Sequence, residues 1–419
     1  MILGLLLFSG LPAAVDAASL TVDSNTILRM REKFDGRSDY PLYEYLNVSV
    51  DSQWHQGFVT ADFGGWGRVD LRNQRTGSPN DKAMQYGHVG YSGKMNNLSF
   101  QAGRQFIAEG VATERLDGLY LRNDLAAGFT TAAFVGMPVV TQTDFLGGDL
   151  LYGGRIAHSV KRFYTVGISA LKVDEDGDRI REEEGIDLWV HPWDKVDITG
   201  RSTYNSITSS WMEHAYSVMV VPLAALRVHA DLSAVNYRDY FHSVTTNALK
   251  LKTGFIDPLE KVFSLGGGIG YTAFNRLNLS ADYKNYHYEI AGDAQYYGGR
   301  AGLLLPAAFT AGIAVHRMEG ENDKLRFDEY RVFVSKRVGK ADLTADFFNV
   351  HFDSPINGIK STYSVIVAAS YEITPRWKVA ADVEYGKTVD FDERVSGLVK
   401  LNYYFDVKLD KEERAKREK

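Results

Sequence analysis

The sequence contains no cysteine among its 419 residues. The chain therefore cannot form a disulfide bond, a thiolate metal site, or the covalent haem attachment that a C-x-x-C-H motif provides. It also cannot carry the lipid-modified cysteine that anchors a lipoprotein. We expect no cofactor to be bound covalently by this chain, so that any haem would have to belong to a partner protein.

Proline is scarce, with 10 residues, and long apolar segments are missing from most of the chain. A transmembrane helix needs about 20 consecutive apolar residues. The best apolar run after the N-terminal segment, residues 218–226, is about half that long and is interrupted by Pro222. If such a chain is exported, we expect it either to be soluble in the periplasm or to cross the outer membrane as a β-barrel.

The N-terminus carries the features of an export signal. Residues 2–11 are apolar, and Val15 and Ala17 then place small residues at the two positions that a signal peptidase reads. The usual basic segment in front is missing. We predict a cleaved signal peptide over residues 1–17; the alternatives are a buried strand or a short membrane anchor.

The sequence has a period-two alternation that recurs along nearly its whole length. One example places Leu279, Ala281 and Tyr283 on one face of a strand, with Ser280 and Asp282 on the other. The chain is also rich in tyrosine (24), phenylalanine (22) and glycine (39), which suits many strands joined by tight turns. One such strand would fit a soluble sheet, but about twenty in succession without a helix favour a barrel.

The connections between these strands alternate between short turns and mostly longer, more polar loops. This alternation is typical of outer-membrane barrels, whose short turns are periplasmic and whose longer loops are extracellular. We therefore predict an all-β fold: a transmembrane antiparallel β-barrel of about 22 strands (20–24) over residues 18–405, with both termini periplasmic. Residues 406–419 are predicted to be a charged periplasmic tail, either simply solvated or a docking site for a periplasmic partner.

Two sets of side chains follow from this topology. The residues predicted to line the lumen are polar members of the alternating strands: Arg201, His229, Asp231, Asp282, Arg331, Asp342, Asp346, Asp382, Glu384 and Lys400. His316 is expected to share that lining. The residues predicted to form the aromatic girdles lie near strand ends: Trp54, Trp66, Trp189, Trp193, Trp211, Trp377, Tyr403 and Phe405.

The sequence offers little evidence of catalysis or metal binding. Neither a G-x-S-x-G nor an H-E-x-x-H motif occurs, and residues 266–270, although glycine-rich, fall within a predicted strand. The acidic loop with Asp174, Asp176 and Asp178 is a weak candidate for a divalent cation, because its register does not match a calcium-binding loop. We predict that the protein is not an enzyme and that this loop is solvated.

Two of the predicted loops contain apolar residues that would be unusual in water. Residues 106–117 include Ile107 and Val111, and residues 237–261 include Leu249 and Phe255. Either loop could fold into the lumen and narrow it, or form a strand extension or a surface lid. Barrels of 22 strands often enclose an N-terminal plug. Here the first strand is expected to follow the signal peptide directly, without a plug. What occupies the lumen is therefore not decided by the sequence.

Several short motifs resemble those of outer-membrane porin-like proteins from metal-reducing deltaproteobacteria. They include Gly103-Arg104-Gln105, followed by Asp117-Gly118-Leu119, and further segments at residues 23–26, 40–45 and 282–286. The Gly-Arg-Gln and Asp-Gly-Leu pair also occurs in wider porin families. Some members of this group are similar to the barrel component of porin–cytochrome conduits. The resemblance implies a barrel that insulates a multihaem c-type cytochrome during electron transfer across the outer membrane.

Two functions therefore remain open at this point. The first is a sheath in the outer membrane for a partner multihaem c-type cytochrome, periplasmic or outer-surface. The second is a general or anion/solute diffusion porin that is constricted by its own inward-folded loops. In both, the chain contacts outer-membrane lipid and no nucleic acid.

Overall fold

The computed structural model describes residues 17–32, 38–54, 56–71, 80–93, 95, 97–139, 149–240, 259–306, 308–389 and 393–410. Their strands, in chain order, are β1 (Ala17–Glu32), β2 (Ser38–Asp39), β3 (Pro41–Trp54), β4 (Gly57–Asp70), β5 (Asn80–Gly93), β6 (Leu98–Glu109), β7 (Ala112–Asp124), β8 (Phe129–Pro138), β9 (Leu150–Val160), β10 (Tyr164–Glu175), β11 (Asp178–Trp193), β12 (Val196–Asn205), β13 (Ser210–Leu223), β14 (Leu226–Asn236), β15 (Lys261–Ala273), β16 (Leu277–Tyr288), β17 (Gly292–Leu305), β18 (Phe309–Gly320), β19 (Phe327–Val338), β20 (Ala341–Ile356), β21 (Ile359–Thr374), β22 (Trp377–Lys387) and β23 (Arg394–Asp410).

Helical structure is limited to single turns in the described residues. One α-helical turn, α1 (Tyr237–Tyr240), follows β14, and two 3₁₀ turns cover Ala126–Gly128 and Asp323–Leu325. Within these ranges, no helix is both long enough and apolar enough to cross a membrane.

The long strands close into a single antiparallel barrel. Each pairs with its neighbours in the sequence, and β1 closes the ring by pairing with β3 on one side and β23 on the other. Thr26, for example, lies opposite both Glu44 and Leu401. The two-residue β2 only extends the end of β1, so the barrel has the twenty-two strands that the sequence predicted. Closure gives every long strand a pairing partner on both sides.

The alternation along most strands separates a largely apolar outer face from a largely polar lumen face. Large apolar side chains on the outer face remain solvent-accessible, among them Ile313, Val367 and Val383 with about half of their surface exposed (53%, 56% and 54%). Exposure of so many apolar groups around a closed barrel is unfavourable in water and suits contact with lipid. The barrel therefore crosses a membrane with its strands.

The two ends of the barrel differ in their connections. One end carries tight turns such as the one between β19 and β20, and we call it the short-turn end. The first residue of β1 and the last residue of β23 both lie at this end, where Ala17 is paired with Asp410. The predicted barrel boundary at Phe405 falls inside β23, so residues 406–410 belong to the wall rather than to a tail. The predicted signal peptide, apart from Ala17, and residues 411–419 lie outside the described residues.

Several predicted loops at the other end, the loop end, are in fact strand. The acidic loop predicted around Asp174 and Asp178 is a hairpin of β10 and β11 with a two-residue turn at Asp176 and Gly177, both at positive φ (50° and 91°). At the same end β4 extends to Asp70 and β5 begins at Asn80, and residues 72–79 lie outside the described residues. These extensions carry charges on both faces, so their period-two pattern was not recognisable as strand.

Candidate functional site

The register of the barrel places all ten predicted lumen residues on one face. Asp187, Arg201 and Ala215 occupy paired positions on three adjacent strands, and Asp231, Gly266 and Lys284 do so on three others. The pairings that follow extend the same face to the remaining predicted positions: His229, Asp282, Arg331, Asp342, Asp346, Asp382, Glu384 and Lys400. This face is the lumen, since the exposed apolar side chains are on the other.

Charged lumen side chains are mostly paired across neighbouring strands. Arg201 donates two hydrogen bonds to Glu213 at 3.1 and 3.0 Å, and Arg331 binds Asp346 with contacts of 2.5–3.1 Å. The Nε2 atom of His316 lies 3.2 Å from a carboxylate oxygen of Asp282. This pairing weakens the net field along most of the described wall.

A glycine between two strands makes one of these pairs possible. Lys284 reaches across Gly266 to Asp231, with 2.8 Å between the ammonium nitrogen and the carboxylate. A side chain at Gly266 would occupy the space that the methylene groups of Lys284 fill. Part of the glycine-rich segment of β15 therefore serves a close approach of side chains in the lumen.

The hairpin of β6 and β7 leaves the barrel wall near the loop end. β5 pairs with β6 only as far as Arg104, and β8 pairs with β7 only from Leu116 onward. Residues 105–115 therefore pair only within the hairpin and not with the wall strands beside it, and we call this segment the inner hairpin. Gly103, where the departure begins, has φ of 125°, and a Cβ there would clash with the carbonyl oxygen of Gly87. Only glycine fits this bend without strain.

An ion pair lies at the base of the inner hairpin. Arg104 donates to both carboxylate oxygens of Asp117, at 2.7 and 2.6 Å, and its third contact goes to the carbonyl of Met84 at 3.0 Å. That carbonyl lies on the part of β5 from which β6 has separated. Gln105 also donates to the Gly118 carbonyl at 3.2 Å. The motif residues that carried the family resemblance thus form the root of the hairpin.

The inner hairpin packs onto the inside of the barrel. Ile107 and Leu116 are buried in an apolar cluster with lumen-facing side chains of β8, β9 and β10: Phe134, Leu151, Leu171 and Val173. At the tip, the Val111 amide donates to the Ser169 hydroxyl at 2.9 Å. Burial of side chains of this kind contributes about 1.5–3 kcal/mol each. The hairpin is therefore packed in place rather than loosely suspended.

A carboxylate of the inner hairpin, that of Glu109, lies close to two arginines of the barrel wall. Glu109, only 5% exposed, accepts from the Tyr120 hydroxyl at 2.7 Å and lies 3.6 Å from Arg122 and 3.8 Å from Arg155. Arg155 in turn makes two hydrogen bonds to Asp187, at 2.9 and 2.5 Å. These contacts bind the hairpin to β7, β9 and, through Arg155, to β11.

A second ionic contact holds the other arm of the hairpin. Arg181 on β11 donates to Glu114 at 2.6 Å and makes two bonds to Glu183, at 2.5 and 2.8 Å. Arg181 and Glu183 are both almost fully buried. A buried arginine with two carboxylate partners is favourable only while all of its bonds are made.

The inner hairpin corresponds to one of the two predicted loops that were expected to enter the lumen. Residues 106–117 are not a loop but strand, yet the segment does fold inward and narrows the lumen. For the other, residues 237–261, only α1 and residues 259–261 are described. Its apolar residues Leu249, Leu251, Phe255 and Ile256 lie outside the described part.

The predicted aromatic girdle requires two corrections. Trp66 lies opposite Tyr45 and is 6.2 Å from the ring of Tyr43, on the lumen face. Trp189 shares the lumen face with Asp187 and stacks on His191 at 5.7 Å. Proximity to a turn indicates the level of a residue along the barrel, whereas alternation along the strand decides which face the residue occupies.

The remaining six girdle residues lie on the outer face near the barrel ends. Trp377 and Tyr403 are paired there, with ring centroids 4.5 Å apart. The others by register are Trp54, Trp193, Trp211 and Phe405. Aromatic side chains at these levels match the interfacial positions of membrane barrels.

The acidic segment around Asp174 forms ion pairs with neighbouring basic side chains. Asp174 accepts a hydrogen bond from Arg179 at 2.7 Å, and Glu182 is bound by Arg179 and Lys172. The described residues contain no group of three or more potential ligands arranged for a metal ion. The segment is a charged hairpin with internal ion pairs, and the weak cation candidate at Asp174, Asp176 and Asp178 stays a prediction.

Known families and solved structures show limited similarity to this chain. A family profile described as Gram-negative porin matches residues 259–390. A search of curated proteins finds no match. Among solved structures, OccAB4 of Acinetobacter baumannii is 10% identical with a TM-score of 0.49, covering 95% of this chain and 100% of that one.

Two further solved barrels show similarity of the same order. OccK3 (OpdO) of Pseudomonas aeruginosa is 9% identical with a TM-score of 0.48, covering 96% of this chain and 99% of that one. The translocation pore of the P pilus usher PapC is 9% identical with a TM-score of 0.48, covering 91% and 99%. With TM-scores below 0.5, these similarities add nothing to what the strand pairing shows. That pairing defines the fold as a closed antiparallel β-barrel of 22 strands.

Proposed function

We propose that the protein is a diffusion channel for small solutes in the bacterial outer membrane, with its short-turn end and both termini in the periplasm. The observation that carries this proposal is the inner hairpin, by which the chain narrows its own lumen. The match of residues 259–390 to a Gram-negative porin profile supports it.

The size of the barrel leaves room for water beside the hairpin. Twenty-two strands spaced about 4.8 Å apart and tilted by about 40° enclose a ring roughly 40 Å across. One hairpin packed against one arc of the wall reduces this passage without filling it. The polar, internally paired side chains of the lumen suit a hydrated path more than a permanent apolar interface.

The cytochrome sheath stays a prediction. It would need the lumen to admit a folded multihaem protein, and the inner hairpin occupies part of that space. The paired lumen charges also leave few groups for a permanent protein partner among the described residues. Nothing in the comparisons mentions a cytochrome, so the diffusion channel is the function that we favour.

The proposal can be tested with the full-length protein purified in mild detergent from outer membranes. We expect discrete conductance steps in a planar bilayer and a rate of sugar uptake into liposomes that falls with sugar size. A second sample should be stained for haem on a gel. Absence of conductance together with a haem protein in equal amount would overturn the diffusion channel and support the sheath.

A further inference from the structure

A second feature of the lumen lies at the short-turn end, on the arc formed by β14 to β19, away from the inner hairpin. It is a pocket of about 440 Å³ in the inner surface of the wall. Its lining includes Arg227, Ser280, Arg300 and Phe333. The turns next to Ala225 and Thr272 border it, so it opens near the mouth of the barrel.

The two arginines lie in one row across four strands. Arg227 pairs with Gly270, Gly270 with Ser280, and Ser280 with Arg300. Three strand spacings put their Cα atoms roughly 14 Å apart. Between them, Gly270 has no side chain and Ser280 only a short one, so a ligand could lie over these two positions and meet both guanidinium groups.

Neither arginine has an ion pair with a carboxylate among the described residues, unlike the lumen residues Arg201 and Arg331. Two lumen carboxylates of this part of the barrel are engaged elsewhere: Asp282 with His316, and Asp346 with Arg331. Arg227 and Arg300 are both exposed to the lumen, so their donors are available to a solute.

The surroundings hold one arginine in position and add neutral donors. The ring of Phe333 lies 4.9 Å from the guanidinium carbon of Arg300, a cation–π contact that leaves the N–H groups free to bind an anion. Thr272 donates to Asn278 at 2.8 Å, which leaves the amide nitrogen of Asn278 as a further donor. The Cβ positions of Gly270 and Gly302 are open, with no neighbouring atom closer than 4.0 Å.

We propose that Arg227 and Arg300 form a binding site for a small organic anion with two acidic groups, such as a dicarboxylate. Arginine binds carboxylates in a planar, two-pronged geometry, and two arginines separated in this way match two acidic groups better than one. The inference rests on the proposed channel function and adds a preferred solute class at the periplasmic mouth.

The test uses the full-length protein in a planar bilayer with potassium chloride, titrated with succinate. We expect succinate to reduce the chloride current with saturation. The concentration for half-maximal reduction should rise at least tenfold in Arg227→Gln/Arg300→Gln. The control is Lys336→Gln, which removes a positive charge from the outer face at the same end and should change this concentration by less than twofold.

Further measurements distinguish a site for two acidic groups from a general effect of charge. Inorganic phosphate should inhibit at concentrations at least several-fold higher than succinate; equal inhibition would overturn a site for two acidic groups. An equal shift in the arginine variant and in Lys336→Gln would overturn the site, because it would reflect general charge alone. Unchanged chloride conductance with no saturation by succinate would overturn this inference but keep the channel, whereas no conductance would overturn both.

Discussion

Arg104 and Asp117 form a two-pronged ion pair at the point where the inner hairpin leaves the barrel wall, with Arg104 6% and Asp117 15% exposed. The same arginine donates to the carbonyl of Met84. This carbonyl lies on the part of β5 that is no longer paired with β6. One side chain therefore closes the gap that the departure of the hairpin opens.

Removal of this arginine should destabilise the barrel. Arg104→Gln leaves Asp117 without its charged partner in a poorly solvated place, and we expect a loss of about 3 kcal/mol in the free energy of unfolding. Urea unfolding in lipid vesicles, followed by tryptophan fluorescence, measures this. The double variant Arg104→Gln/Asp117→Asn should lose less than the sum of the two single changes. Strict additivity would contradict a direct coupling.

The bend at Gly103 should not accept a side chain. Gly103→Ala adds a Cβ that meets the Gly87 carbonyl in a backbone conformation unfavourable for alanine, and we expect a loss of about 1–3 kcal/mol. Gly67→Ala is the matched control, because nothing lies within 4 Å of the added Cβ and it should be nearly neutral. The same urea unfolding measurement compares the two. Equal stability of both variants would show that the bend is not constrained.

The apolar cluster under the hairpin should behave like a soluble protein core. Leu171→Ala removes a fully buried side chain, and we expect a loss of about 2–5 kcal/mol in the free energy of unfolding. Ile168→Ala on the outer face of the same strand is the control. Lipid closes around a shortened side chain and leaves no cavity, so that loss should be less than half as large. Similar losses would argue against a packed hairpin.

The contacts of Glu109 should influence ion selectivity. Glu109→Gln removes a negative charge that lies within 3.8 Å of two arginines. We expect the reversal potential in a potassium chloride gradient to shift towards chloride, and the open-channel current to become noisier. Glu289→Gln, an exposed carboxylate paired with Lys261 at the loop end, should leave both unchanged. A shift of the same size in both variants would contradict a role of Glu109 in the narrow part of the lumen.

The fold was largely predictable because it depends on local alternation. Whether Arg331 or Asp382 faces the lumen follows from alternation along its own strand. The number of strands follows from the alternation of short turns and longer loops. The inner hairpin depends on contacts between distant segments, such as Glu114 with Arg181. No local pattern pairs these residues. Strand lengths beyond the membrane were also missed, because charged residues occupy both faces there.

The error for Trp189 was avoidable from the sequence, and it leads to the last prediction. Trp189 is two residues from Asp187 and therefore on the same face of β11. Lipids brominated in their acyl chains quench tryptophans that face lipid. Trp54, Trp193, Trp211 and Trp377 should be quenched, whereas Trp66 and Trp189 should be protected by the wall. The variant Trp66→Phe/Trp189→Phe should therefore show a larger quenched fraction than the unaltered protein. A smaller fraction would return both residues to the outer face, as the proximity to turns had first indicated.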